Sequence, residues 1–197
     1  MTAPSPALGT VLCVGEPLIA LAAEGQPLER ATHLSVAEGG AELNVAVHLA
    51  RLGFPVRFVS RVGNDPFGRR LRAVLEREGV EASMLVVDDE LPTGLYVKGP
   101  TDEGTAVLYW RRESAATMLD RLPEGALRDV RHIHVTGILA AISDACRRLV
   151  AELLATPRPR TVSFDVNYRL GLWDPSVAAP VLLELAQQAD FVFVGRD

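Results

Sequence analysis

Short apolar, strand-like runs alternate with helical patterns along most of this chain, and that alternation constrains the fold more than any other feature. The runs Thr10–Val14, Val56–Val62, Met84–Val87, His132–Thr136, Thr161–Val166 and Phe191–Val194 read as strands. Between them, Ala41–Leu52, Phe67–Glu78, Ser143–Ala155 and Pro175–Gln188 carry apolar residues at helical spacing. Strands separated by helices of this length imply right-handed crossovers and a largely parallel sheet covered on both faces. Two pieces fall outside the pattern. Pro17–Ala23 and His33–Ala37 flank the turn-like Glu24-Gly25-Gln26-Pro27, and Leu95–Lys98 and Thr105–Arg111 flank Gly99-Pro100-Thr101-Asp102-Glu103-Gly104. Both read as antiparallel excursions forming a small separate layer. Met1–Gly9, rich in Pro, Ala and Ser, reads as a loose lead-in.

At 197 residues the chain can bury one substantial core, with at most a small appendage. A net charge of −5 leaves no basic surplus to pair with phosphates, which argues against a nucleic-acid partner. Arg69, Arg70 and Arg72, like Arg147 and Arg148, fall in amphipathic helical patterns and read as solvated helix faces. The apolar run from Val11 to Ala23 is interrupted by Glu16 and has no basic stretch before it, so it is not a signal peptide. No apolar run approaches bilayer length. Cys13 and Cys146 lack cysteine or histidine partners at metal-ligand spacing, and His33, His48, His132 and His134 show no such spacing either. The expectation is a soluble, cytoplasmic protein with reduced cysteines and no membrane contact.

The most specific chemistry lies between Glu38 and Gly68. Gly39-Gly40 directly precede the helical pattern, Asn44 lies one turn into it, and Gly53 with Pro55 closes it. Paired glycines let a ligand approach backbone N–H groups that a Cβ would shield, and a helix start adds unpaired donors and a positive dipole end. Asn44 can donate and accept hydrogen bonds at once. A tight strand-to-helix turn is the plain alternative, but the spacing from the glycine pair to Asn44, Gly53 and Gly63-x-Asp65-x-x-Gly68 favours a ligand, and a polyhydroxylated one. Gly63–Gly68 itself lacks the lysine and hydroxyl residue of a Walker A loop. Asp65 before Pro66 reads as a helix N-cap with proline at the first helical position.

On the second excursion, Tyr109 and Arg111 are two apart and share a strand face. An aromatic and a guanidinium on one face suit a carbon skeleton bearing a carboxylate, unless the face is merely exposed. Arg169 follows the strand Thr161–Val166 at its carboxyl end, where open α/β sheets place ligands. Asp165 and Asn167 are also two apart there, although Asp165 could simply cap the following turn.

The Glu38–Gly68 arrangement resembles the first signature of the PfkB (ribokinase-like) family of sugar kinases, from about Thr10 onward. Val14-Gly15-Glu16-Pro17, Thr93-Gly94-Leu95-Tyr96, Tyr109-Trp110-Arg111 and Asp165-Val166-Asn167-Tyr168-Arg169 look most like its 2-keto-3-deoxygluconate kinase branch. The resemblance implies a ribokinase-like α/β fold with a β lid at about 16–38 and 93–112, which often makes dimer contacts. It implies that Gly39, Gly40, Asn44, Tyr96, Tyr109, Arg111 and Arg169 bind the sugar acid, with Arg169 a carboxylate partner. It places Asp165 and Asn167 in the phosphate and metal vicinity. Glu16 stands where many relatives have an aspartate touching a hydroxyl.

The expected reaction is transfer of the γ-phosphoryl of ATP, with Mg²⁺, to a hydroxyl of 2-keto-3-deoxygluconate or a similar acid. Fructose or another neutral ketose is the alternative substrate. A non-catalytic sugar-binding fragment and an assembly role through the lid are the alternatives from other classes. The family's second signature, Asp-Thr-x-Gly-Ala-Gly-Asp, and its Asn-x-x-Glu motif are not in this sequence. They carry the catalytic aspartate and most of the ATP site, so no catalytic residue is assigned here. The sequence ends at Phe191-Val192-Phe193-Val194-Gly195-Arg196-Asp197, just past a strand, so truncation before the nucleotide-binding part is expected. By that expectation the chain alone binds sugar weakly and does not turn over ATP.

Overall fold

A computed structural model describes residues 9–156 and 159–195; most of the lead-in expected at 1–9 lies outside them. β1 (Thr10–Val14) opens a parallel sheet, and the chain then leaves it for β2 (Leu18–Ala22) and β3 (Ser35–Gly39). It returns through α1 (Ala41–Arg51) to β4 (Val56–Gly63), then runs through α2 (Pro66–Arg77) to β5 (Leu85–Asp88). A second departure forms β6 (Leu95–Thr101) and β7 (Gly104–Trp110). The chain comes back as β8 (Val130–Thr136), α3 (Gly137–Ile142), α4 (Asp144–Leu154), β9 (Thr161–Asp165), α5 (Pro175–Ala186) and β10 (Phe191–Phe193).

Six strands form the main sheet in the order β10-β9-β8-β1-β4-β5, and every neighbouring pair is parallel. Alternation along the strands divides two cores. Leu12, Val14, Ile133, Val135 and Phe164 meet α3, α4 and α5 on one face, and Val11, Cys13, Val56 and Phe58 meet α1 and α2 on the other. Helices thus lie on both faces, as expected, although among the described residues part of the second face stays open. Beside α1, Val45, Leu49 and Phe54 and the strand residues His132, His134, Ser163 and Phe193 line an open groove of about 580 Å³. Phe191 and Phe193 remain more than half exposed, because among the described residues no element packs over β9 and β10 on that side.

The excursions form one sheet rather than two hairpins. Its order is β3-β2-β6-β7, with antiparallel outer pairs and a parallel joint between β2 and β6. That joint could not be read locally, because parallel neighbours must come from distant segments. The helix α3 was also unforeseen. Thr136 caps it, its Oγ1 accepting from the N–H groups of Ile138 and Leu139 at 3.1 and 3.4 Å, while Ser143 caps α4 as the sequence predicts. Glycine at the first position and the cap at Ser143 hid the short helix from a pattern search.

A candidate sugar site at the root of the second sheet

Two clasps fix how the second sheet leaves the main one. In the first, Asp65 caps α2 by accepting from Gly68 N–H at 2.7 Å, as the sequence predicts, and also accepts from Thr93 N–H and Oγ1 at 2.8 and 2.9 Å. Thr93 Oγ1 in turn accepts from Gly63 N–H at 3.0 Å. Burial alone would raise the Asp65 carboxyl, and the bonds from Thr93 and Gly68 outweigh it, leaving the carboxyl below the usual aspartate range. Gly63-x-Asp65-x-x-Gly68 is therefore a structural clasp that holds the approach to β6.

The second clasp is Glu16, just past β1 and 2% exposed. Its Oε1 accepts from Ser114 Oγ at 2.7 Å, and its Oε2 forms an ion pair with Arg111, itself 6% exposed. Burial pushes the Glu16 carboxyl up, while Arg111 and Ser114 hold it down; the net direction is upward. A Cβ on Gly40 would lie 2.6 Å from the Glu16 carbonyl oxygen, and one on Gly94 2.7 Å from its carboxylate. Gly40 also has φ 132°, a left-handed conformation that glycine adopts without strain. Glu16 thus touches the three places where the second sheet joins the body: Gly40, Gly94 and the Arg111–Ser114 turn.

The structure brings most of the sequence-predicted sugar residues together around this root. Gly39 ends β3 beneath Tyr96, whose hydroxyl would lie 3.0 Å from a Cβ there. Tyr96 is paired across the ladder with Tyr109, with ring centroids 5.6 Å apart. The Arg111 guanidinium stacks on Tyr109 at 5.5 Å. The shared face expected for Tyr109 and Arg111 is present, but Arg111 lies one residue past β7 and points into the body rather than standing over open space. Its Nε has no hydrogen-bond partner among the described residues. Asn44 is exposed on the first turn of α1.

Asp165, Asn167 and Arg169 line a different cleft, of about 540 Å³, with Val166, Tyr168 and Phe193–Gly195. Asp165 accepts from Asn167 N–H and Nδ2 at 3.1 and 3.2 Å, and Asn167 has φ 37°, so Asp165 caps a left-handed turn. Arg169 donates to the Tyr168 carbonyl at 3.2 Å. Among the described residues no group of three His, Cys, Asp or Glu is placed to hold a metal ion.

One residue at the site escaped the sequence reading. Glu42, on the first turn of α1, is fully buried. Its Oε1 accepts from Thr136 Oγ1 at 2.5 Å, and its Oε2 has no partner among the described residues. A Cβ on Gly15 would overlap its carboxyl, so Gly15 is the space Glu42 fills. Burial pushes the Glu42 carboxyl up to about 7, against the Thr136 bond, its own backbone N–H and Arg111, with Glu16 adding to the rise. Thr136 is in register with Asp165 on β9. Glu42 therefore ties the start of α1 to the end of β8, whose neighbour β9 leads into the second cleft.

The site thus sets a glycine turn at a helix mouth near an aromatic pair and a buried arginine, where a small β layer leaves a parallel sheet. Residues 9–197 match the pfkB family of carbohydrate kinases, and the chain belongs to that family. It is 39% identical over 163 residues to a 2-dehydro-3-deoxygluconokinase from Bacillus subtilis, covering 79% of this chain and 50% of the relative. It is 35% identical to a 2-dehydro-3-deoxygalactonokinase from Haloferax volcanii (89% of this chain, 57% of the relative). A probable fructokinase from Arabidopsis thaliana is 32% identical (95% and 57%). Among solved structures, a PfkB protein from Polaromonas sp. JS666 superposes with a TM-score of 0.87 at 38% identity, covering 94% of this chain and 65% of that one. A sugar kinase from Pyrococcus horikoshii in complex with ATP gives 0.84 at 28% identity (92% and 62%). The chain spans about half the length of the curated relatives it matches. Among the described residues, no helix is long and apolar enough to cross a membrane.

Proposed function

We propose that this chain is the sugar-binding part of an ATP-dependent kinase acting on 2-keto-3-deoxygluconate or a similar keto-deoxy sugar acid. The observation that carries the reading is Arg111: a buried guanidinium with an Nε that has no partner among the described residues, stacked on Tyr109 and paired with Glu16, whose carbonyl abuts Gly40. An N–H donor buried without a partner costs about 1–3 kcal/mol, which a ligand carboxylate or hydroxyl would offset. In this reading Gly39 and Gly40 admit the sugar to the main chain, Asn44 fixes a hydroxyl, and Tyr96 and Tyr109 exclude water from one face. The second sheet acts as the lid. Arg169 holds the carboxylate from the neighbouring cleft.

ATP supplies the phosphoryl group in this proposal. Mg²⁺ belongs to it also, although Asp165, the carboxylate nearest that role, is engaged with Asn167. A cytoplasmic location is part of the same reading, supported by two buried, unpaired cysteines. So is pairing of two copies through the lid, supported by exposed Val107, Leu108 and Trp110 on its outer strand.

A neutral ketose is the second reading, because Arg111 already has a matched anion in Glu16. Charge discriminates the two. In the full-length kinase, Arg169→Ala and Arg111→Ala should each cost about 1.5–3 kcal/mol in kcat/KM for the sugar acid, the range for charge-assisted hydrogen bonds, with much smaller changes on fructose. Arg169→Ala is the cleaner variant, since Arg111→Ala also strands the buried Glu16 carboxylate. Equal losses on both sugars would favour the ketose.

A further inference from the structure

Glu42 has features that sugar binding alone does not require. It is a fully buried carboxyl with one oxygen bonded to Thr136 and the other without a partner among the described residues. It fills the space above Gly15, the residue before Glu16, and its helix begins at Gly40, which abuts the Glu16 backbone. Two buried carboxyls, Glu42 and Glu16, therefore share one buried cation, Arg111. The other titratable groups around Glu42 are Cys13 on β1 and Cys146 on α4, both pushed up by burial and coupled to it, and Asp165 on β9, in register with the Thr136 that holds it.

Counting charge makes the consequence plain. With both carboxylates ionised, the root of the lid carries a net charge of about −1; with Glu42 protonated, the Glu16–Arg111 pair is balanced. An anionic sugar brought against Arg111 adds a second negative charge in a site largely removed from water. A neutral sugar adds none. Resting on the sugar-acid reading, we propose that Glu42 is a specificity-determining proton acceptor: the anionic substrate binds the form with a proton on Glu42, and its binding draws a proton from solvent onto the unpartnered Oε2. Nothing else in the cluster is so placed. Glu16 is held by both Arg111 and Ser114, and the thiols are neutral already. The upward displacement of the Glu42 carboxyl to about 7 sets the range in which the effect is visible.

The test is calorimetry on the full chain at about pH 7.5, in two buffers of different ionisation enthalpy, with 2-keto-3-deoxygluconate and with fructose as probes. The account expects the apparent heat of sugar-acid binding to differ between buffers by an amount equal to uptake of up to about one proton. Affinity for the acid should fall as the pH rises above about 7, with a limiting slope of about tenfold per unit. Fructose should show neither effect. Glu42→Gln, which keeps the shape and the Thr136 bond, should bind the acid with no proton uptake and a flat pH profile. Buffer-independent heats in the wild type would overturn the proposal, as would equal uptake in Glu42→Gln or equal uptake with fructose; the wild-type comparison of the two sugars stands even if the variant does not fold. Failure of the sugar acid to bind under any condition would instead overturn the functional reading, and this inference with it.

Discussion

Glu42 shows where a residue-scale reading of sequence stops. A glutamate in the first turn of a helix ordinarily faces solvent and complements the dipole, and nothing in Ala41-Glu42-Leu43-Asn44 marks it as buried. Its burial comes from Gly15, distant in sequence, which leaves room for the carboxyl, and from Thr136 on a third element. Asn44, Tyr96 and Tyr109, by contrast, could be singled out as candidates because their spacing relative to glycines and to each other is local. The raised Glu42 carboxyl has a stability consequence of definite sign. The folded state holds a proton that the unfolded chain, with a carboxyl near 4.5, gives up, so stability falls as pH rises from about 4.5 to about 7. Glu42→Gln removes that penalty. Its stability relative to wild type, followed by urea unfolding, should be near zero difference at about pH 4.5 and favour the variant by on the order of 3 kcal/mol above pH 7. A difference independent of pH would show that Glu42 is ionised in the fold or not buried.

At the scale of elements, most strands and helices were readable from period and caps, and the exceptions have a common cause. The β2–β6 joint and the Glu16 clasp unite segments far apart in sequence, Leu18–Ala22 with Leu95–Lys98 and Glu16 with Arg111 and Ser114. No local pattern encodes such pairings. The Asp65 cap was legible because its signal, Asp before Pro at a helix start, is contained within the motif; its reach to Thr93 was not. That reach has a measurable weight. Asp65→Ala removes the α2 cap, worth about 1 kcal/mol, and leaves the Thr93 N–H unpaired, worth about 1–3 kcal/mol more. Urea unfolding should register a loss of about 2–4 kcal/mol near neutral pH. Because the carboxyl lies below its ordinary range, this contribution is present above about pH 4 and fades as the pH falls through the folded value. A loss under about 0.5 kcal/mol would mean that the clasp does not hold the lid strand.

For the whole molecule, the carboxyl edge of one parallel sheet organises everything discussed above. β1 leads into Gly15-Glu16, β8 ends at Thr136 and β9 at Asp165, so adjacent strands deliver the root of the second sheet, the Glu42 partner and the Arg169 cleft to one side. This is the edge at which open α/β sheets bind ligands, and it is where the candidate residues gather. The candidate sugar residues fall in two groups, with Gly39, Gly40, Tyr96, Tyr109, Arg111 and Glu16 at the root of the second sheet and Asp165, Asn167 and Arg169 in the cleft on the β9 side. The Glu42–Thr136 bond and the Thr136–Asp165 register join them.

The most direct test is a crystal structure of this chain grown with 2-keto-3-deoxygluconate. The account predicts the sugar between Gly39-Gly40 and Tyr109, with Asn44 on a hydroxyl and the carboxylate toward Arg111 and Arg169. Sugar density elsewhere on the molecule, or a carboxylate turned away from both arginines, would contradict it.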